Sequence, residues 1–197
     1  VSFNETKRQI LHVSMLAFAL LLRVLPVWGA LLCAAAAFLH NLYVLPHTGK
    51  SRFYRPEDHA RGYPVGMLIY PVTVFLLILL FGHRMALVGA GWAILAAGDG
   101  FATIVGRAYG RHPIAWCRDK SWEGSAAYAV FGGLAAFLIA LWIGSPALDG
   151  WIPTRHPLVG GSVGYLAFVC CAGALLAALV ETLPIHIDDN LSAPLVA

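Results

Sequence analysis

The chain has 197 residues, 59% of them hydrophobic and only 12% charged, with a formal net charge of +3. A soluble domain carries about 25% charged residues. This composition, with a mean hydropathy of +0.74, therefore excludes a water-soluble globular fold and leaves an integral membrane protein.

In chain order, apolar runs cover 10–25, 27–45, 65–81, 85–97, 125–143 and 160–180, separated by charged or proline-bearing breaks. Most approach the roughly 20 residues that cross a hydrocarbon core as a helix. The first and fourth are short and need tilt or flanking residues to reach across. The fourth is free to continue helically past Asp99. Strand spans are not expected, because the runs are rich in Ala, Leu and Gly and lack a period of two. The predicted fold is all-α, a polytopic transmembrane helical bundle of about six spans in one domain covering 1–197; a seventh span, beyond the sequence or split within it, is compatible with the pattern. The first run has a basic flank, but further spans follow it rather than a polar mature domain, so it does not read as a signal peptide.

The charges predict an orientation. With the N-terminus cytoplasmic, Lys7, Arg8, Lys50, Arg52, Arg55, Arg61, Arg107, Arg111, Arg118 and Lys120 share one side, and Arg23, Arg84 and Arg155 the other. Short cytoplasmic loops carry the excess of Lys and Arg. Asp99, Glu123, Glu181, Asp188 and Asp189 fall on the basic side, where soluble nucleotides arrive. Arg23 is expected to snorkel to the opposite interface.

Three stretches carry candidate chemistry. In the first, Asp99 ends an apolar helix and leads into Gly106-Arg107 and Gly110. A desolvated carboxylate there needs a partner or water. The plainer reading is a helix end with Gly106 and Gly110 as small residues for helix packing. In the second, Lys120-Ser121-Trp122-Glu123-Gly124 precedes the fifth run. Lys120 can neutralise a phosphate, and Glu123 can hold a metal or favour the helix N-terminus; an interfacial Lys120–Glu123 ion pair is the alternative. In the third, Glu181 is followed by Asp188-Asp189-Asn190, hard oxygen ligands that suit Mg²⁺, or a solvated polar turn. Gly49-Lys50-Ser51 is not a P-loop ending, because Val44 stands where that motif requires glycine. Cys33, Cys117, Cys170 and Cys171 show no metal-ligand spacing, and neither do the histidines. His12, His47, His59, His112 and His186 read first as interfacial packing residues.

The order and spacing of these stretches resemble the CTP-dependent polyprenol kinase family, which includes dolichol kinases, phytol kinases and a CTP-using diacylglycerol kinase and is related to phosphatidate cytidylyltransferases. Residues 99–124 are similar to the core shared by both groups. Glu181-Thr182-Leu183-Pro184 and Asp188 to Pro194 resemble the ending of the kinases, and Glu5 to His12 their opening. The lysine-, glycine- and histidine-rich ending of the cytidylyltransferases has no counterpart after Glu181.

The resemblance implies a lipid kinase that moves the γ-phosphoryl group of CTP to a long isoprenoid alcohol at the cytoplasmic face. It implies Mg²⁺ on Asp99, Asp188 and Asp189, one of which takes the hydroxyl proton. Lys120 and Arg107 hold phosphates, Glu123 orients Lys120 or metal-bound water, and Gly106, Gly110, Ser121, Glu181 and Asn190 complete the nucleotide site. Alternatives are CDP-lipid synthesis, a diacylglycerol kinase, and a non-enzymatic transporter or assembly subunit, although internal repeats of the transporter kind are not seen. The partners implied are CTP, a lipid alcohol and membrane lipid, with no nucleic acid and with a homo-oligomer allowed. The compact length points to a bacterial cytoplasmic membrane.

Overall fold

The computed structural model describes residues 5–48, 54, 58–59, 62–149, 152–153, 155–156 and 162–183. The chain starts with α1 (Glu5–Ser14) and α2 (Leu16–Ala19), the latter tightening into a 3-10 turn over Leu20–Arg23. Next is α3 (Val27–Leu39), extended by a π turn at His40–Val44 and a 3-10 turn at Leu45–His47. Helix α4 (Val65–Phe81) turns through Gly82–Arg84 into α5 (Met85–Ala93). A π turn at Ile94–Asp99 joins α5 to α6 (Gly100–Tyr109). An antiparallel hairpin of β1 (Pro113–Ile114) and β2 (Cys117–Ser121) leads to α7 (Trp122–Gly144), and α8 (Val163–Glu181) completes the described helices.

Four helical runs are long and apolar enough to cross a membrane: Val27–His47, Val65–Tyr109, Trp122–Gly144 and Val163–Glu181. The second is 45 residues long, about twice what one crossing uses. It breaks where Arg84 leaves helical geometry (φ −135°, ψ 69°). There α4 and α5 fold back on each other, tied by the Trp92 indole donating to the Tyr70 hydroxyl at 2.6 Å. The fourth predicted span does continue past Asp99, to Tyr109.

The described residues thus give five apolar rods and a sixth, N-terminal helix of different character. In α1 the buried residues are Glu5 and Gln9, whereas Ile10 and Leu11 are exposed. The two residues it buries are polar, while apolar Ile10 and Leu11 share its exposed side with Thr6 and Lys7.

Helix α7 is the axis of the bundle and packs against α5, the π turn, α6 and α8. Glycine lets the backbones approach. A Cβ on Gly132 would lie 3.3 Å from the Gly98 Cα, and Gly89 accommodates the side chains of Ile139 and Ile143. Small residues at such contacts are the usual route to tight helix association in lipid.

Where a helix is interrupted inside the apolar layer, another helix satisfies the freed group, as lipid requires. Pro71 has no N–H to give the Met67 carbonyl one turn earlier; Asn41 Nδ2, in the π turn that extends α3, donates to that carbonyl at 2.7 Å. Trp142 Nε1 donates to the Leu20 carbonyl, and a His12 ring nitrogen lies 3.2 Å from the Leu95 carbonyl in the π turn.

The bundle has two distinct ends. One gathers Arg23, Trp142, Ser145, Asp149, Ile152 and Arg155. The other gathers Glu5, the 106–125 segment and Glu181. Arg23 does not snorkel. It is fully buried, with its guanidinium on the carbonyls of Trp142, Ser145 and Ile152 and on Asp149 Oδ1. The carbonyls exposed where α7 ends give it a complete set of acceptors, so it has no reason to reach for water.

Candidate active site

The second end holds a cavity of about 570 Å³. A volume between about 300 and 1,000 Å³ is typical of sites for small molecules. Its wall is built from α6, the hairpin, the first turn of α7, the end of α8 and the start of α1. Gly106, Arg107, Gly110, Lys120, Ser121 and Glu181, all singled out from sequence, line it together.

Local structure explains this convergence. Helix α6 stops at Gly110, whose N–H closes on the Gly106 carbonyl at 2.9 Å. The chain then reverses through the hairpin and re-enters at Ser121, whose Oγ accepts from the Gly124 N–H and caps α7. Helix α6 must pass close to this first turn. A Cβ on Gly124 would lie 3.1 Å from the Ala102 carbonyl oxygen, and one on Gly106 would lie 3.6 Å from the Gly124 Cα. The glycines therefore do serve helix packing, and the same close approach forms the floor of the cavity.

The hairpin is pinned on both sides. His112 accepts from the Trp122 N–H through its carbonyl, and its ring nitrogen Nδ1 lies 2.6 Å from Glu123 Oε1. The Trp116 indole donates to Thr182 Oγ1 at 3.3 Å, next to the end of α8. So fixed, β2 directs Lys120 into the cavity. Its Nζ lies 2.8 Å from both the carbonyl oxygen and Oε1 of Glu181. The Glu181 side chain is 8% exposed and that of Lys120 is 24% exposed, so the lysine keeps an open side.

Charge is distributed unevenly. Arg107, Arg118 and Lys120 come from α6 and β2, beside the N-terminus of the 23-residue α7. A helix N-terminus carries about half a positive charge and free N–H groups, which favours anions. Glu181 is matched by Lys120. Asp119, also in the lining, is exposed. The arrangement is suited to several phosphate oxygens.

Two predicted residues sit outside this lining. Asp99 lies one turn before Ala102 and Thr103, which do line the cavity, and its Oδ2 is 3.5 Å from His12 Nε2. Glu123 turns back to the hairpin and holds both the ring and the backbone N–H of His112. Asp188, Asp189 and Asn190 lie outside the described residues. Among the described residues no three His, Cys, Asp or Glu side chains come together as metal ligands.

The residue that sequence reasoning missed is Glu5. It lines the cavity from α1 and is buried, with Oε1 accepting from Arg8 Nε and Nη2 and from Gln9 Nε2. A sequence signal existed: Glu5, Gln9 and His12 recur at helical spacing on one face.

No protein-family model matches the chain, and no solved structure matches it. Curated relatives do. The chain is 32% identical over 132 residues to a probable chloroplastic phytol kinase of Triticum aestivum, an alignment covering 66% of this chain and 41% of the relative. It is 32% identical over 164 residues to probable phytol kinase 2 of Glycine max, covering 82% and 51%. It is 26% identical over 159 residues to phytol kinase 1 of Arabidopsis thaliana, covering 80% and 49%. The chain thus spans about half the length of the curated relatives it matches. These relatives are named as chloroplastic plant proteins, so they lend no support to a bacterial cytoplasmic membrane. Sequence relationship and helical membrane architecture agree, and the chain belongs to the polyprenol and phytol kinase family.

Proposed function

We propose that this chain is the membrane-embedded catalytic part of a prenyl-alcohol kinase, transferring the γ-phosphoryl group of CTP to a long isoprenoid alcohol such as phytol. The observation that carries this reading is the convergence of Arg107, Lys120 and the α7 N-terminus on one cavity, in a chain related to phytol kinases. CTP as the donor follows from the family resemblance of 99–124 and of the Glu181 to Pro194 ending.

Phosphoryl transfer needs little covalent chemistry from the protein. It needs the donor phosphate and the acceptor oxygen held in line and the developing charge neutralised. Lys120 and Arg107 bind phosphate oxygens, and the N–H groups of the first α7 turn add fixed positive potential. Gly106, Gly110 and Ser121 give the triphosphate close access to backbone. Glu181 holds Lys120 until a phosphate replaces it. Asp99, held by His12, is proposed as a ligand of the cation, and the hydroxyl proton leaves to a carboxylate of the site.

A divalent cation, Mg²⁺ in this reading, would neutralise further phosphate charge. The described residues alone do not form its donor set, so its proposed ligands combine Asp99 with Asp188 and Asp189. The basic end of the bundle is proposed to face the compartment that supplies the nucleotide.

The test uses membranes carrying the protein, Mg²⁺, a panel of prenols with diacylglycerol and phosphatidate, and CTP labelled at the α or the γ phosphate. Label reaching a prenol only from γ-labelled CTP supports the proposal. Label from α-labelled CTP means cytidylyl transfer and ends it. Label from γ-labelled ATP but not CTP keeps the kinase and removes the donor assignment.

A further inference from the structure

The cavity carries charges of both signs. Its cationic groups come from α6 and β2, whereas the α1 wall contributes a carboxylate, Glu5. Glu5 is ion-paired with Arg8, so its charge is balanced within α1 and what it offers the cavity is hydrogen-bond acceptance. An ionised carboxylate is an acceptor only; what it favours is a ligand group with a hydrogen to donate.

The Glu5 side chain is 7% exposed and its position is fixed. Arg8 Nε at 2.9 Å, Arg8 Nη2 at 2.6 Å and Gln9 Nε2 at 2.9 Å all donate to Oε1. Helix α1 is itself held against the start of α6, where Gly100 leaves space for Val13. Its outward residues Ile10 and Leu11 are 58% and 37% exposed and apolar. One helix therefore carries exposed Ile10 and Leu11 on its outer side and contributes a carboxylate to the described lining of the cavity.

We propose that Glu5 is a binding residue of this cavity that accepts a hydrogen bond from a ligand hydroxyl, and that this hydroxyl is the one at the head of the lipid alcohol. The alcohol tail then lies against Ile10 and Leu11 while its oxygen turns inward toward the phosphates. The identity of the ligand rests on the kinase reading; the hydroxyl-accepting role of Glu5 does not. A ribose hydroxyl offers the same chemistry and is distinguished by the test.

The test measures thermal midpoints of the full chain in lipid nanodiscs, so that binding is read without turnover. The probes are phytol, phytyl methyl ether, CTP and 2′,3′-dideoxy-CTP. For wild type, phytol should stabilise more than its ether, which cannot donate. In Glu5→Leu that difference should vanish, in Glu5→Gln it should partly persist, and the CTP shift should stay unchanged throughout. Glu5→Met, of similar length, replaces Glu5→Leu if the latter does not fold. In turnover assays the KM for the alcohol should rise about tenfold or more, with the KM for the nucleotide unaltered. Equal responses to phytol and ether in wild type, or a difference that survives in Glu5→Leu and Glu5→Met, overturn the proposal. Loss instead of the difference between CTP and dideoxy-CTP overturns the lipid assignment and moves the hydroxyl to the ribose. A protein that shows the Glu5-dependent phytol shift but transfers no phosphate keeps the Glu5 site and rejects the kinase reading.

Discussion

Each end of the bundle holds a basic side chain drawn in from the interface, and the two are used differently. Arg23 is fully buried, and its donors are taken up by three carbonyls and Asp149, with the Trp142 ring 5.3 Å away. Lys120 meets Glu181 through both carbonyl and carboxylate and retains an open side on a cavity. A guanidinium on carbonyls where a helix ends is a fastening, because no ligand can compete with so many fixed acceptors. An ammonium paired with a carboxylate beside open space is exchangeable, because a phosphate offers it more charge.

The largest expected effect breaks the functional end. Lys120→Ala should lower turnover by roughly two to three orders of magnitude, the cost of losing one preorganised charge on the transferring group. The thermal midpoint should move little. A variant within threefold of wild-type turnover would remove Lys120 from the phosphate site. The converse substitution breaks the other end. Arg23→Met leaves buried carbonyls without a donor and should destabilise the fold by about 1–3 kcal/mol. Turnover per folded molecule should stay at the wild-type level, so thermal denaturation and specific activity together separate the two roles.

A smaller change sharpens the contrast by its sign. On the proposal that phosphate displaces Glu181 from Lys120, Glu181→Gln should bind CTP more tightly, by roughly fivefold, on the order of 1 kcal/mol. Calorimetric titration in detergent checks this. Weaker binding would mean that Glu181 positions the lysine rather than occupying it.

The sequence made the spans and the grouping of charges legible, because both follow from local composition. The 85–97 run continued to Tyr109, and Arg107, Arg118, Lys120 and Glu181, all assigned to one side, line one cavity. The polarity of α1 was harder to see. Averaging over 10–25 hides a period that begins at Glu5, ahead of the apolar run. The hairpin escaped sequence reading because tertiary pins hold it, His112 to Glu123 and Trp116 to Thr182. The Lys120–Glu181 pair joins residues 61 positions apart, a distance over which pattern carries no signal. Arg23 was misjudged for a related reason. Snorkelling is the default for a lone arginine near a helix end, and the acceptors that cancel it come from the far end of α7.

The smallest expected effect concerns the apolar layer between the two ends, and it isolates one hydrogen bond. Asn41 Nδ2 donates to the carbonyl that Pro71 cannot serve. Asn41→Leu should cost about 1 kcal/mol, the usual scale for a polar contact between membrane helices. If the contact exists to repair the proline, Pro71→Ala restores the helical N–H and makes Asn41 dispensable. The two changes should then be non-additive, with Asn41→Leu nearly silent in the Pro71→Ala background. A double-mutant cycle of thermal stability reads this directly. Additive losses would mean that Asn41 contributes by packing α3 on α4, independently of the proline break.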